Sequence, residues 1–480
     1  MNEPNAVMEG GPPARRGWLV LAVLSAVAFM AQLDLFIVNI ALPAMARSFP
    51  GSGLSELSWV LNGYAIVFAA LLVPAGRLAD IFGRRLFLLC GVALFAAASA
   101  ACAVAPDLAL LVAGRVAQAI GAVMIVPTSL GLLLAAFPAR RHGLVVGIWA
   151  GVGAVAAASG APLGGLLVAL DWRWVFLVNI PIGLATIAVG LRVLPEVRAA
   201  RGERLPDPLS VLSLLAAVTL FVLATVQGPV WGWGSPAVAA LLGVSIVAAA
   251  VTLGRTLRHP RAVIERTLFR SGEFTVASAA LLLWYVGFAA WLLITVLFLE
   301  QVWHYSPLRA GLAIAPGPLT AALFAVNSGR IAALVGRAAP AVAGTLLMAI
   351  GGTLWAALTT LHGSYLSEFL PALVLAGAGA GLTQAPLFAA ASTLAPERAT
   401  TGSAVLSMSR QVGSAVGVAA LVVVLALPAP DALAGFHRGW LLLVVTGLGA
   451  ALIVLGGSIR RTHVARPGAA RGSEVGALGE

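Results

Sequence analysis

Fourteen runs of about 20 mostly apolar residues recur from one end of this chain to the other, each long enough to cross the roughly 30 Å hydrocarbon core of a bilayer as a helix. In lipid, backbone groups have no water to bond, so a segment of that length satisfies itself as an α-helix. The chain has 480 residues, of which 60% are hydrophobic and 10% charged, and its mean hydropathy is +1.00. It therefore reads as an all-α polytopic membrane protein. The spans are expected near 18–42, 57–76, 86–105, 108–134, 143–168, 174–194, 208–227, 236–256, 274–299, 309–329, 340–361, 367–391, 403–427 and 439–459. The stretch "ARRGWLVL" at the first run has a twin-arginine look, but the run is too long for a cleaved signal and leads into further spans, so it reads as the first of them.

The net charge of +11 raises the question of a nucleic-acid partner, which charge placement answers. All 29 basic residues are arginine. The N-tail, the loops after even-numbered spans and the C-tail hold 23 of them, including Arg15, Arg16, Arg77, Arg84, Arg85, Arg201, Arg204, Arg337, Arg466 and Arg471, while the opposite loops hold only Arg47, Arg173, Arg309 and Arg438. By the positive-inside rule both termini are expected in the cytoplasm, and the basic balance needs no nucleic acid. Arg115 and Arg410 fall inside spans.

The lack of lysine excludes a Walker A phosphate loop and Schiff-base chemistry. His304, His362 and His437 are expected in outer loops, with no serine-protease arrangement and no His/Glu metal cluster, so no catalytic residues, metal or cofactor are expected. Cys90 and Cys102 share one run about 18 Å apart along a helix, too far for a disulfide.

"GRLADIFGR" at 76–84 recurs as "GRIAALVGR" at 329–337, an offset of 253 residues, each copy following the second span of a six-span block. Two homologous halves follow, with Ala333 in the second where the first has Asp80. The expected layout is a cytoplasmic N-tail (1–17), a six-helix bundle (18–195), a linker with two extra transmembrane helices (196–272), a second six-helix bundle (273–460) and a cytoplasmic tail (461–480).

The sequence resembles the major facilitator superfamily, specifically its fourteen-helix drug/proton antiporter branch. "GRLADIFGRR" (76–85) is similar to the loop signature between helices 2 and 3, "LDLFIVNIALP" (33–43) to the first-helix signature, and "WRWVFLVNIPIG" (172–183) to the fifth-loop signature. Two departures stand out: "RVAQAIGAV" has Ala119 where the family usually has glycine, and "GAPLGG" (160–165) has Pro162 one place late for the antiporter helix-5 motif of Gly160, Gly164 and Gly165. The resemblance implies a facilitator fold of two six-helix bundles plus an inserted hairpin, and alternating-access export of lipophilic, including cationic, drugs, antibiotics or a metabolite in exchange for protons. It further implies a bacterial plasma (inner) membrane location and action as a monomer. A facilitator-fold nutrient or metabolite importer is the alternative, and an intramembrane enzyme a more distant one.

Site residues follow from charge and polarity at membrane depth. Asp34 is the acid falling clearly within a span, which is costly unless protonated, hydrated or paired. It and Arg115 sit at similar expected depth, and together they are the candidates for proton coupling. Asn39, Trp59, Asn62, Tyr64, Gln118, Trp284, Trp291 and Gln384 are candidates for lining a substrate cavity, with Gln118 also placed to tune Asp34. Positive-inside anchoring accounts for Arg77, Arg84 and Arg85 but not for Asp80 between two glycines, so Gly76, Asp80, Gly83 and Arg84 are expected to form a conformational gate. Arg410, with Gly413 and Gly417, is expected to serve packing.

Overall fold

The computed structural model describes residues 15–49, 54–198, 205–336, 338–428 and 432–464. Arg201, Arg204, Arg337, Arg466 and Arg471, on which the orientation reading partly rests, lie outside the described residues, as do most of the two tails. Among the described residues, fourteen helices are long and apolar enough to cross a membrane. They are α1 (Arg15–Ser48), α2 (Leu54–Phe82), α3 (Arg84–Ala103), α4 (Leu108–Ala136) and α5 (His142–Leu170). Next come α6 (Trp174–Val193), α7 (Pro208–Trp231), α8 (Pro236–Arg258) and α9 (Gly272–Gln301). The last five are α10 (Arg309–Val335), α11 (Ala339–Leu358), α12 (Tyr365–Thr393), α13 (Ala399–Ala426) and α14 (Ala432–Val464).

The helix starts are written in the sequence. Asp107, Asp207, Ser235, Ser271 and Ser306 each accept a hydrogen bond from a backbone N–H three residues on, satisfying one of the donors a helix leaves bare. Pro208, Pro236 and Pro307 follow their caps at the first helical position, where no N–H is needed. Several helices run beyond the expected spans because polar flanks continue the helical hydrogen bonding: α1 reaches Ser48 and α13 begins at Ala399. His437, expected in a loop, lies within α14 and approaches Thr359.

Helices α1–α6 and α9–α14 form two bundles. Small residues let helices approach within each: a side chain on Gly121 of α4 would meet the Gly91 carbonyl oxygen of α3 at 2.8 Å, and one on Gly344 of α11 would meet the Gly379 carbonyl oxygen of α12 at 2.6 Å. The α3–α4 approach is thus set at Gly121 and Gly91. In the second bundle Trp355 stacks on Trp440 at 4.8 Å and on Trp291 at 6.3 Å, an aromatic core continued by Phe298 and Phe369. Helices α7 and α8 pair with each other, and α7 leans on α2 and α13, at the seam between the bundles.

Asp207 ties the hairpin's base. It accepts from Ser210 N–H at 2.9 Å and pairs with Arg255 at 2.8 Å. Desolvation works against the charged carboxylate, but these bonds and the charges of Arg255 and His259 outweigh it and hold Asp207 below the usual carboxylate range.

The internal repeat is visible in the backbone. Gly83 and Gly336, 253 residues apart, end α2 and α10 with φ of +109° and +98°, a conformation that favours glycine. Fourteen crossings return the chain to the side on which it began, called here the terminal side.

Candidate functional site

Asp34 lies near the middle of α1, fourteen residues short of Ser48 rather than the eight expected from a shorter span. It is 1% exposed. Its carboxylate takes Arg115 of α4 at 2.5 Å on one oxygen, and the amides of Gln118 and Asn179 at 3.1 Å each on the other. Gln118 is one helical turn from Arg115, so both reach the same point on α1; its amide oxygen accepts from Arg115 at 2.7 Å, and its nitrogen donates to Ser99 of α3 at 2.7 Å. Arg115 also donates to the Val60 carbonyl of α2 at 3.1 Å and lies 4.3 Å from the Tyr64 ring centre.

All six side chains are buried, and they draw five helices, α1, α2, α3, α4 and α6, onto one charge pair. Protonating Asp34 would remove the ionic part of its hold on Arg115, which would keep Gln118, Val60 and Tyr64. Expected as a cavity residue, Gln118 instead sits inside this network. Ser99 and Asn179 were not anticipated. The only sequence signal for Asn179 was its place in "WRWVFLVNIPIG", and a lone serine in a helix gives none.

A second buried carboxylate, Asp80, lies on the terminal side. One oxygen takes Arg84 at 2.9 Å; the other takes the N–H and hydroxyl of Thr401, in the first turn of α13, at 2.9 and 2.7 Å. Arg84 continues across the seam to the Pro396 carbonyl and also donates to Gly131 O at 3.2 Å. Gly76 lies so close to α13 that a side chain would meet Ala404 Cβ at 2.6 Å. The inter-bundle linker supplies Glu265, which pairs with Arg77 at 2.6 Å and Arg398 at 2.9 Å. Three of the four residues expected to form a gate, Gly76, Asp80 and Arg84, therefore meet the opposite bundle, with partners that lie more than 300 positions further along the chain, while Gly83 faces Glu196 and Arg198.

The pseudo-equivalent seam, between α5 and α10, carries no buried carboxylate–arginine pair among the described residues. There Gly143 faces Gly329, and a side chain on Gly147 would meet the Ala325 carbonyl oxygen at 2.4 Å. Further along α5, Gly160 and Gly164 turn to Phe36, Ile37 and Ile40 of α1, Gly165 faces open space, and the helix continues through Pro162. The bundles are thus joined on the terminal side, and α5 passes from the seam to the interior of its own bundle.

The cavity candidates separate into two groups. Asn39 is exposed and bonds its own helix at Leu35 O; Asn62 is half-buried and bonds Ser58; Trp59 is half-buried. Tyr64 is buried, its hydroxyl without a partner. Gln384 of α12 is half-buried and accepts from the Tyr285 hydroxyl of α9 at 2.7 Å. Trp284 and Trp291 are packed into the second bundle and present almost no surface; Trp284 stacks on Phe288 and Trp291 meets it edge-on, and Phe288 takes the half-buried place.

Two pseudo-repeated helical bundles joined at one side, with a charged network sealed at mid-depth, define a membrane transporter of the alternating-access kind. Residues 24–418 match the model of the Major Facilitator Superfamily, and the chain belongs to that family. It is 35% identical over 401 residues to multidrug resistance protein Stp of Mycobacterium tuberculosis, covering 83% of this chain and 74% of that one. It is 36% identical to the puromycin resistance protein pur8 of Streptomyces alboniger (86% and 82% covered) and 32% identical to a probable actinorhodin transporter of Streptomyces coelicolor (87% and 74%). Among solved structures, the human organic anion transporter MFSD10 superposes with a TM-score of 0.67 over 92% of this chain and all of that one, at 16% identity; that likeness is one of fold.

Proposed function

We propose that this protein is a proton-coupled antiporter that exports lipophilic drugs, antibiotics or a related metabolite by alternating access. It acts as a monomer in a bacterial plasma (inner) membrane, with both termini in the cytoplasm. The observation that carries the reading is the Asp34 network: an ionisable acid at mid-depth, paired with Arg115 and bonded by the amides of Gln118 and Asn179. An intramembrane acid of that kind marks a proton path by default. The export direction and substrate class rest on relatives named for multidrug, puromycin and tetracenomycin C resistance.

The cycle follows from the two buried carboxylates. In this conformation the Asp80 latch keeps the cytoplasmic side shut while Asp34 exchanges its proton with the outer side. Protonation loosens Arg115, the latch opens, and substrate enters from the cytoplasm as the proton leaves. One proton moving down 100 mV supplies about 2.3 kcal/mol, enough for a concentration ratio of roughly fifty.

Everted membrane vesicles energised to an acid interior test this, with a pH-sensitive dye read while lipophilic drugs are added. Drug-triggered proton efflux is expected from the wild type and not from Asp34→Asn inserted to the same level. Active export by the mutant at the wild-type rate would sink the assignment, and drug leaving preloaded vesicles together with protons would favour an importer.

A further inference from the structure

Arg115 and Arg410 both lie inside helices at membrane depth, yet only one is matched. Arg115 has Asp34. Among the described residues no carboxylate pairs with Arg410, and its Nε is buried without a hydrogen-bond partner. Snorkelling does not account for it. Arg410 stands eleven residues into α13, about 16 Å along the helix, three residues deeper than the sequence suggested.

Its direction is fixed by its own helix. Gly413 and Gly417, at i+3 and i+7, share its face, and both press on α9: a side chain there would meet the carbonyl oxygens of Leu282 at 2.3 Å and Val286 at 2.1 Å. That face therefore looks at α9, where the Arg410 guanidinium interacts with the Tyr285 hydroxyl, and its field extends to Tyr64 on α2. Tyr285 spends its proton on Gln384, which leaves neutral oxygens toward the arginine. Dipoles solvate a guanidinium but do not neutralise it, and five N–H donors in a fixed fork suit a planar acidic group.

We infer that Arg410 is the cation that recognises substrate between the bundles, and that this exporter prefers lipophilic aromatic compounds carrying an acidic oxygen over lipophilic cations. The inference rests on the export reading for its biological setting and deepens it. The two buried aspartates, Asp34 and Asp80, are both engaged by arginine and further donors, so neither is available to a cationic compound, which meets the unpaired charge of Arg410 instead. Tyr285 and the half-buried Phe288, whose rings lie 5.2 Å apart, offer the aromatic wall.

The test compares two dyes with one ring system and opposite charge, fluorescein (anionic at pH 8) and rhodamine 123 (cationic), binding to the purified full-length protein by fluorescence polarisation. The wild type is expected to bind fluorescein more tightly. Arg410→Gln is expected to weaken fluorescein at least tenfold without weakening rhodamine 123, and Arg410→Lys to keep most of the preference, each variant eluting as a single species on gel filtration. A wild type that binds rhodamine 123 more tightly, or fluorescein not at all, would overturn the inference, as would an unchanged preference in both variants. Because binding needs no gradient, a charge preference that tracks Arg410 in a protein that fails to export would count against the export reading alone.

Discussion

Asp34 and Asp80 are both buried acids, both paired with an arginine, and both more richly hydrogen-bonded than a simple ion pair. They differ in where their partners come from. Every partner of Asp34 belongs to the first bundle, on α4 and α6, so its network can change charge without moving one bundle against the other. Asp80 takes one partner from the start of α3 and the other from α13 in the opposite bundle, so it cannot lose its bonds without loosening the seam. A carboxylate enclosed in one rigid body is suited to carry a proton, and one shared between two bodies to sense or hold their relation. The second copy of the repeat sharpens the point, because Ala333 replaces the acid and the α5–α10 seam closes on glycine instead. The molecule has one charged seam and one packed on glycine.

Three substitutions probe that contrast, in falling order of effect. Arg115→Ala leaves Asp34 buried without its cation, a defect worth about 3–5 kcal/mol; thermal unfolding in detergent should show that loss, and an unfolding temperature unchanged from the wild type would mean that the pair is not a closed charge unit. Asp80→Asn keeps the shape but removes the charge from the Arg84 and Thr401 contacts. It should shift the equilibrium toward a conformation open on the terminal side by about tenfold, or roughly 1.4 kcal/mol, read as longer distances between spin labels at the ends of α2 and α13. Unchanged distances would reduce the latch to ordinary packing.

The smallest effect belongs to the hairpin, outside either network. Asp207 is held below its usual range, so it stabilises the fold above the unfolded carboxylate range, near pH 4, and that contribution disappears as pH falls through the lower folded value. The stability gap between wild type and Asp207→Asn should therefore be present at pH 7 and shrink toward pH 3. A gap independent of pH would show that the Asp207 charge contributes nothing.

Much of this was legible in the sequence. The count of spans, the two halves and the 253-residue offset follow from hydropathy and one repeated motif, and the paired glycines at 83 and 336 repeat that offset in the backbone. Asp34 and Arg115 stood out because a charge in an apolar run is conspicuous. Ser99 and Asn179 did not, since small polar residues within helices bond their own backbone as readily as anything else. The acceptors and donors that Asp80 and Arg84 find at Thr401, Pro396 and Gly131 are mostly backbone groups, which no pattern of side chains announces. Trp284 and Trp291 show the opposite error: aromatic residues at membrane depth suit a cavity wall and a bundle core equally well, and packing chose the core. Arg410 was expected to serve packing, and α13 begins earlier than hydropathy alone suggests, at Ala399, which sets the side chain deeper.

The claim that Asp34 carries the coupling proton is tested most directly by proton release from the purified protein in weakly buffered detergent near neutral pH. When a transported compound is added to the wild type, a stoichiometric pulse of protons should appear, and Asp34→Asn should bind the same compound without one. A pulse of equal size from the mutant would contradict the account and place the coupling proton elsewhere.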